Sequence, residues 1–249
     1  MSHAATIGRS LRLYHDPARR PALDAFHRRF LGPGDLAFDV GCHVGDRAAS
    51  FLRVGARVVA VEPQPRLARA LRFMFGRDPG FALVQRLIGA SEGSGVLRLN
   101  SANPTVATAS TEFIAAAQGA PGWEGQVWDA EIPLSRTTLD ALIATHGLPD
   151  FVKIDVEGWE AEVLSGLSTA PRALSFEFTT IQRGVAEACL SQLSALGLQH
   201  FNACLGESMD WAFPAPVGAT AMAEWLRALP AEANSGDVYA ALEPGSLTA

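Results

Sequence analysis

The chain has 249 residues, 48% of them hydrophobic, with three cysteines and a formal net charge of -6. This size allows a large buried core, and a single domain spanning residues 1–249 is predicted. The acidic balance excludes duplex nucleic acid as an expected partner, because such binding needs clustered positive charge. The odd cysteine number without metal-ligand spacing favours a reducing cytoplasm, and neither a signal peptide nor a membrane-spanning run is recognised.

The predicted elements begin with a helical segment over residues 1–34, broken at Asp16-Pro17. Apolar runs that predict strands then alternate with patterns that predict helices. The predicted strands cover residues 36–40, 57–62, 81–89, 151–156, 173–178, 198–203 and 237–242. The predicted helices cover residues 45–54, 65–76, 138–146, 160–167, 183–196 and 219–228. Nearly continuous apolar strands between helices are typical of a parallel sheet covered on both faces, so a doubly wound α/β fold is predicted.

Two further segments depart from this alternation. Residues 101–130 form a long insertion of low charge before the fourth predicted strand, and such insertions are uncommon unless they serve as a lid or binding loop. Residues 204–249 form a C-terminal elaboration. Trp123 and Trp128 in the insertion, together with Trp211, could stack on a sugar or lipid, or could simply hold their loops in place.

The stretch FDVGCHVGDR, residues 38–47, joins the first predicted strand to the next helix. Asp39 closes the strand, and Gly41 and Gly45 lie in the turn, where glycine permits positive φ and close approach of a ligand to the backbone. The helix N-terminus that follows favours a carboxylate or phosphate. Glu62 ends the second predicted strand and is placed to bind the two hydroxyls of an adenosine ribose. The pattern therefore indicates a nucleoside cofactor.

The details of the turn favour S-adenosylmethionine over NAD. Cys42-His43 stands where a dinucleotide motif needs a small residue and then glycine. Asp39 would repel a pyrophosphate but can meet an ammonium group. The predicted cofactor-binding residues are Asp39, Gly41, Cys42, His43, Gly45, Glu62, Pro63, Gly89, Ala90 and Asp155.

Four segments, FDVGCHVGDR, VVAVEPQP, TTLDAL and FVKIDVEGWEAEVLSGL, resemble the FkbM family of S-adenosylmethionine-dependent methyltransferases. The resemblance covers about residues 36–178, which form the predicted cofactor-binding core. It implies a Rossmann-like sheet, usually of seven strands with the last antiparallel, and methyl transfer to oxygen. It also implies acceptors such as hydroxyls of polyketides or of sugars in surface polysaccharides and glycolipids.

The resemblance extends to individual positions. Those that match the family's first cofactor loop, its ribose acid and its IDVEG element are Asp39, Gly41, Gly45, Glu62, Asp155, Glu157 and Gly158. Where many members have Ala-Asn, this chain has Cys42-His43. The substitution keeps both glycines but removes any polar contact that the asparagine makes.

Candidate catalytic residues follow from the fourth predicted strand. Strand alternation places Lys153 and Asp155 on one face, and a buried ammonium requires an acidic partner. Methyl transfer to an alcohol gains from a group that accepts its proton, and the candidates are Asp155, Glu157 and His43. Two carboxylates near one strand end do not define an octahedral site, so no metal is expected.

Each candidate also has a structural interpretation. Asp155 could be only the partner of Lys153, and Glu157 could cap the next helix. His43 could be a loop residue bonded to backbone. Glu177, at the end of the fifth predicted strand, could line an acceptor pocket or pair with Lys153.

Three functions remain open. The first is O-methylation of a hydroxyl on a saccharide, glycolipid or secondary metabolite, with a small-molecule or glycan acceptor as the partner. The second is an NAD(P)-linked oxidoreductase, disfavoured by Cys42-His43 and by the lack of a Tyr-x-x-x-Lys pair, since Tyr14 and Tyr239 lie far from the fourth predicted strand. The third is a non-catalytic nucleotide-binding partner protein. The oligomeric state is left open.

Overall fold

A computed structural model of the chain describes residues 3–248, with side chains from residue 6 onward. Its strands are β1 (Leu36–Val40), β2 (Arg57–Val61), β3 (Phe81–Val84), β4 (Leu87–Ile88), β5 (Gly93–Leu99), β6 (Ala130–Thr137), β7 (Phe151–Ile154), β8 (Ala173–Thr179), β9 (His200–Leu205) and β10 (Ser235–Ala241). Seven strands form one sheet in the order β3-β2-β1-β7-β8-β10-β9. All neighbours are parallel except β10, which is antiparallel to β8 and β9. The predicted α/β fold with a mostly parallel seven-stranded sheet is confirmed.

Helices cover both faces of this sheet. They are α1 (His3–Tyr14), α2 (Arg20–His27), α3 (Asp46–Arg53), α4 (Pro65–Phe75), α5 (Thr111–Ala117), α6 (Leu139–His146), α7 (Glu160–Leu164), α8 (Arg183–Ala195) and α9 (Ala219–Ala228). One core joins the sheet to α6, α7, α8 and α9, and a second core joins it to α2, α3 and α4. Side chains alternate between the two: Phe38 of β1 lies in the first core and Ala37 in the second. No helix between residues 3 and 248 is long and apolar enough to cross a membrane.

The prediction of one strand over residues 81–89 is wrong. β3 pairs with β2 in the main sheet, whereas β4 pairs with β6 in a separate three-stranded sheet. The chain leaves the main sheet at Gln85 and Arg86, which separate two apolar segments of similar composition. An apolar run by itself does not show where a strand changes partners, so the sequence pattern merged the two.

The second sheet was also missed as an element. β5 and β6 pair in antiparallel register on either side of the predicted insertion, which is therefore the connection between two strands. Their side chains are mostly exposed or half-buried, so neither strand is a continuous apolar run. The helix predicted over residues 160–167 is shorter in the structure, where α7 spans Glu160–Leu164.

The N-terminal segment is helical and breaks where predicted. The Asp16 carboxylate accepts a hydrogen bond from the Ala18 N–H and caps a short 3₁₀ turn that precedes α2. Trp211 packs against Phe26 of α2, with ring centroids 5.0 Å apart, and against Tyr239 of β10 at 5.1 Å. Trp211 therefore anchors the N-terminal segment to the sheet.

The connection between β5 and β6 is held by its own aromatic side chains. The Trp128 indole N–H donates to the Val106 carbonyl at 2.8 Å, and Trp123 packs edge-on against Phe113 of α5 with centroids 5.0 Å apart. Neither tryptophan lines the cleft described below. Of the two interpretations that the sequence left open, these contacts agree with tryptophans that hold the loop in place.

Candidate active site

A cleft with about 1030 Å³ of space not filled by atoms lies at the carboxyl ends of β1, β2, β7 and β8. This is the edge at which open α/β sheets bind ligands. Seven acidic side chains line it: Asp39, Asp46, Glu62, Asp155, Glu157, Glu177 and Glu207. Three basic side chains line it: Arg47, Arg86 and Lys153. The excess of acids favours a positively charged ligand.

The turn after β1 requires both of its glycines. Gly41 lines the cleft with a φ of 83°, and a Cβ atom there would lie 1.7 Å from the backbone oxygen of Asp155. Gly45 has a φ of 77°, and its Cβ would lie 2.6 Å from the side chain of Leu71 and 2.9 Å from that of Phe75. Gly41 thus lines the cleft and is also a packing requirement, whereas Gly45 lies outside the cleft wall and lets α4 approach the turn.

Glu62 joins the two strand ends that border this part of the cleft. One of its carboxylate oxygens accepts the His43 backbone N–H at 2.9 Å, and the other accepts the Gln64 N–H at 2.8 Å. Burial raises the pKa of Glu62 to about 8, although these two hydrogen bonds favour the ionised form. Each oxygen keeps a further lone pair, and Pro63 beside it also lines the cleft.

Asp39 is a buried acid with spare hydrogen-bonding capacity. Its side chain is 2% exposed, and its Oδ2 atom has no hydrogen-bond partner among residues 3–248. Burial, followed by the charge of Asp46, raises the pKa of Asp39 to about 7. Because an uncompensated buried carboxylate is unfavourable, this position suits a cationic group of a ligand. Cys42, also buried, completes the wall beside it.

Gly89 and Ala90 do not line the cleft, in contrast to their assignment to the cofactor site. Gly89 follows β4 in the second sheet and packs beside Arg136, and the Ala90 N–H donates to Glu162 at 3.3 Å. The chain has already left the main sheet edge at this point. Leu87 and Ile88, the two residues before them, line the cleft.

Lys153 is paired with an acid, as the strand alternation predicted. Its ammonium, on β7, donates to Asp155 at 3.1 Å and reaches across β8 to Asp237 of β10 at 2.7 Å. Burial by itself would raise the pKa of Asp155, but the Lys153 charge and hydrogen bonds from Glu177 and Lys153 lower it. Asp155 is therefore ionised, and it both pairs with Lys153 and lines the cleft, to which it is partly exposed. The alternative pairing of Glu177 with Lys153 is wrong.

Glu157 lies in the left-handed region with a φ of 55°, a conformation that is unfavourable for a residue with a side chain. Its backbone oxygen accepts the Thr108 hydroxyl at 2.7 Å, and its side chain is 7% exposed and lines the cleft. The interpretation of Glu157 as a helix cap is wrong. No side chain of the described residues caps α7, and Glu160, its first residue, instead accepts the N–H groups of Val156 and Gly158 in the preceding turn at 3.1 and 3.2 Å.

Three carboxyl groups converge in this part of the cleft. Asp155, Glu157 and Glu177 each place one oxygen within 4.8 Å of the others. Burial, and then the charge of Asp155, raise the pKa values of Glu157 and Glu177 well above the ordinary range. Such a cluster can accept a proton and pass it between its members.

His43 presents a neutral imidazole to the same cleft. Burial lowers its pKa, although the charges of Asp46 and Asp155 oppose that effect. The ring packs edge-on against Tyr14 with centroids 5.6 Å apart, and the Nε2 atom is buried with no hydrogen-bond partner in the described part of the chain. The hydrogen bond to Glu62 comes from the backbone of His43, so its ring is free to accept a proton.

Tyr14, Arg47 and Glu207 line the cleft but were not identified from the sequence. Arg47 of α3 donates to Glu207, in the loop after β9, at 2.6 Å. Burial, and then the charges of Glu207 and Asp155, raise the pKa of Tyr14 to about 12. No local motif marks these residues. Of the three, only Arg47 carried a signal, because it is a charged residue in the first turn of α3, which is buried.

The family model described as Methyltransferase FkbM domain matches residues 39–196, more than half of the chain. The chain belongs to the FkbM methyltransferase family. The match begins at Asp39 and includes the glycine-containing turn after β1 and all three converging carboxylates. The fold and the family resemblance expected from the sequence are thus confirmed.

Among curated proteins, this FkbM family member is 29% identical to hexuronic acid methyltransferase AglP of Haloferax volcanii over 153 residues. The alignment covers 61% of this chain and 57% of AglP. The chain therefore spans less than two thirds of the curated relative that it matches.

Two solved structures illustrate the wider similarity. A TehB-like SAM-dependent methyltransferase from Corynebacterium glutamicum has a TM-score of 0.45 at 10% identity, covering 96% of this chain and 100% of that one. The O-methyltransferase from Bacillus cereus in complex with SAH has a TM-score of 0.44 at 11% identity, covering 96% and 91%. Both TM-scores are below 0.5, and the fold is established by the strand order of this chain.

Proposed function

We propose that the protein is an S-adenosylmethionine-dependent O-methyltransferase whose acceptor is a hydroxyl group of a saccharide. The observation that carries this proposal is one acidic cleft with a nucleoside-type turn and Glu62 on one wall and three carboxyl groups on the other. Membership of the FkbM family supports methyl transfer, and the similarity to a hexuronic acid methyltransferase supports a sugar acceptor. Glycolipids and secondary metabolites that carry such hydroxyls belong to the same acceptor chemistry.

The residues of the first wall fit S-adenosylmethionine. The two oxygens of Glu62 have lone pairs left for the ribose hydroxyls, and the unpartnered Oδ2 of Asp39 suits the ammonium group. The bare backbone at Gly41 allows close approach. The same acids disfavour NAD(P), whose pyrophosphate would face Asp39 and its acidic neighbours.

The bound cofactor supplies an activated methyl group: the acceptor oxygen forms the new C–O bond as the C–S bond breaks, and that bond's electron pair stays on sulfur. The protein must hold the acceptor hydroxyl in line with this bond and take its proton. Asp155 is ionised and can accept the proton directly, with Glu157 beside it to share the charge. The neutral ring of His43 is the other acceptor on the same cleft.

The first test compares ligands. S-adenosylhomocysteine should raise the thermal unfolding midpoint and NAD should not. Stabilisation by NAD alone would instead support an oxidoreductase.

The second test identifies the product. Extracts incubated with the protein and a methyl donor carrying a deuterated methyl group should contain a sugar derivative heavier by the labelled methyl. Label found on a nitrogen, or on a compound with no sugar, would contradict the proposed acceptor. Binding of S-adenosylhomocysteine without any labelled product would favour a non-catalytic nucleotide-binding protein.

A further inference from the structure

The three converging carboxylates have the spacing of a single coordination sphere. One oxygen each from Asp155, Glu157 and Glu177 lies within 4.8 Å of the other two. Two oxygens on opposite sides of one cation are separated by about 4.2 Å around Mg²⁺ and by roughly 4.6 to 5.2 Å around Ca²⁺. The 4.8 Å bound lies in the Ca²⁺ range, and separations at that bound would have to close by about 0.6 Å around Mg²⁺.

A second observation is the missing partner of Glu157. Its side chain is more than nine-tenths buried, it lines the cleft, and its Oε2 atom has no hydrogen-bond partner within residues 3–248. The Oε2 atom of Glu177 is also buried and has no hydrogen-bond partner within the same residues. No basic side chain of the described chain forms an ion pair with either glutamate. Lys153, two residues before Asp155, is already engaged by Asp155 and Asp237.

A bound cation would compensate the charge of this cluster. An ionised buried carboxylate without a cation or a donor is unfavourable by several kcal/mol in general, so Glu157 and Glu177 hold protons beside the ionised Asp155 in the ligand-free protein, and a cation would take the place of those protons. The left-handed backbone at Glu157 keeps that side chain in the cluster, through the contact of its carbonyl with Thr108. The cluster is thus held in place by the fold, and no basic side chain of the described residues is paired with its two glutamates.

We propose that Asp155, Glu157 and Glu177 bind one divalent cation of the oxygen-preferring type, Mg²⁺, Mn²⁺ or Ca²⁺. The donor set contains only carboxylates, without the histidine or cysteine that Zn²⁺ or Cu²⁺ favours. The sequence did not predict this site because it showed two carboxylates near one strand end. The third, Glu177, comes from the neighbouring strand β8.

The position of the site indicates what the ion does, and this part rests on the proposed methyl transfer. Mg²⁺ usually keeps several exchangeable water ligands. Two adjacent oxygens of a sugar, either a pair of hydroxyls or a hydroxyl and a carboxylate, can replace two of those waters. The cation then orients the reacting hydroxyl beside the cofactor wall, and His43 on the same cleft remains available to take the proton.

The test is direct titration of the full chain with Mn²⁺, followed by electron paramagnetic resonance of the free ion, without acceptor or methyl donor. We expect one Mn²⁺ per chain, displaced by Mg²⁺. Glu157→Gln and Glu177→Gln should each weaken the affinity by more than about tenfold, since loss even of an outer-shell contact costs that much. Glu243→Gln, an exposed carboxylate remote from the cleft, is the matched control and should bind Mn²⁺ as the wild type does.

Binding of S-adenosylhomocysteine by both cluster variants will show that they are folded. Absence of Mn²⁺ binding at millimolar concentrations, or equal affinity in the wild type and both cluster variants, would overturn the site. Failure of the proposed function has a different signature, because the wild type would then bind Mn²⁺ but not S-adenosylhomocysteine. Glucuronic acid, used as a probe, should change the spectrum of the bound Mn²⁺, and an unchanged spectrum would overturn the direct contact between cation and acceptor.

Discussion

The carboxylate of Glu62, at the end of β2, accepts the backbone N–H of His43, in the turn after β1, at 2.9 Å. Its second oxygen accepts the Gln64 N–H at 2.8 Å, at the start of α4. One side chain thus fixes the distance between two neighbouring strand ends and leaves its remaining lone pairs on the cleft. The residue predicted to bind a ribose also shapes the turn that would hold the rest of the cofactor.

Replacing Glu62 by alanine should weaken S-adenosylhomocysteine binding by about 2 kcal/mol, because two charge-assisted hydrogen bonds are lost. Isothermal titration calorimetry measures this as roughly a 30-fold rise in Kd. Glu243→Ala is the control, because it changes an exposed carboxylate away from the cleft. Unchanged affinity in Glu62→Ala would remove Glu62 from the binding site.

Asp155→Asn and Glu157→Gln should lower kcat far more than they lower cofactor affinity. Both carboxylates line the cleft and are the proposed proton acceptors, and loss of a general base typically reduces the rate by about 10² or more. Steady-state kinetics with the identified acceptor, alongside calorimetry with S-adenosylhomocysteine, separates the two effects. If both variants keep the full rate, His43→Gln becomes the decisive variant, since its ring is the remaining candidate.

Lys153→Met should destabilise the protein by roughly 3 to 5 kcal/mol, because it leaves Asp237 buried beside β8 without its cation. Urea denaturation measures the loss. The double variant Lys153→Met with Asp237→Leu should recover much of it, since the carboxylate that remains unpaired, Asp155, is partly exposed to the cleft. Arg227→Met, which breaks an exposed ion pair with Glu187, should leave the free energy of unfolding nearly unchanged. Equal losses of unfolding free energy in Lys153→Met and Arg227→Met would contradict the larger contribution expected of the buried pair.

Cofactor affinity should rise as the pH increases from 6 to 9. The pKa of Asp39 is raised to about 7 and that of Glu62 to about 8, and the ionised forms are the ones that bind an ammonium and accept ribose hydroxyls. Calorimetry with S-adenosylhomocysteine across this range tests the trend. Asp39→Asn should remove the part of the pH dependence near pH 7, which is due to Asp39. An affinity that is independent of pH in the wild type would contradict the prediction.

The same two acids should make the ligand-free protein less stable as the pH rises. Below pH 4 both the folded and the unfolded chains hold these protons, so the shifts have no effect there. Between the ordinary carboxyl pKa and the raised values, the folded state keeps protons that the unfolded state has released. Their contribution to the free energy of unfolding therefore decreases up to about pH 8. Denaturation of wild type against Asp39→Asn at pH 5 and pH 8 isolates the part due to Asp39.

The central sheet could be predicted because its signals are local. β1 has the predicted bounds, and α3 begins at Asp46 after a turn whose two glycines have positive φ. Strand polarity then places acids at the ends of parallel strands on one edge, which brings Asp39, Glu62 and Asp155 together without knowledge of side-chain contacts. Gly89 and Ala90, at the end of the strand predicted over residues 81–89, lie outside the cleft because the chain leaves the main sheet after β3.

The amino-acid sequence by itself determined the α/β fold, the family and the residues at three strand ends, because each depends on backbone requirements within a few positions. Tertiary structure alone decided that Lys153 pairs with Asp237, that Glu177 joins Asp155 and Glu157, and that α1 brings Tyr14 to the cleft. These contacts join segments from distant parts of the chain. They depend on the order of strands in the sheet, which global packing sets and no local pattern encodes.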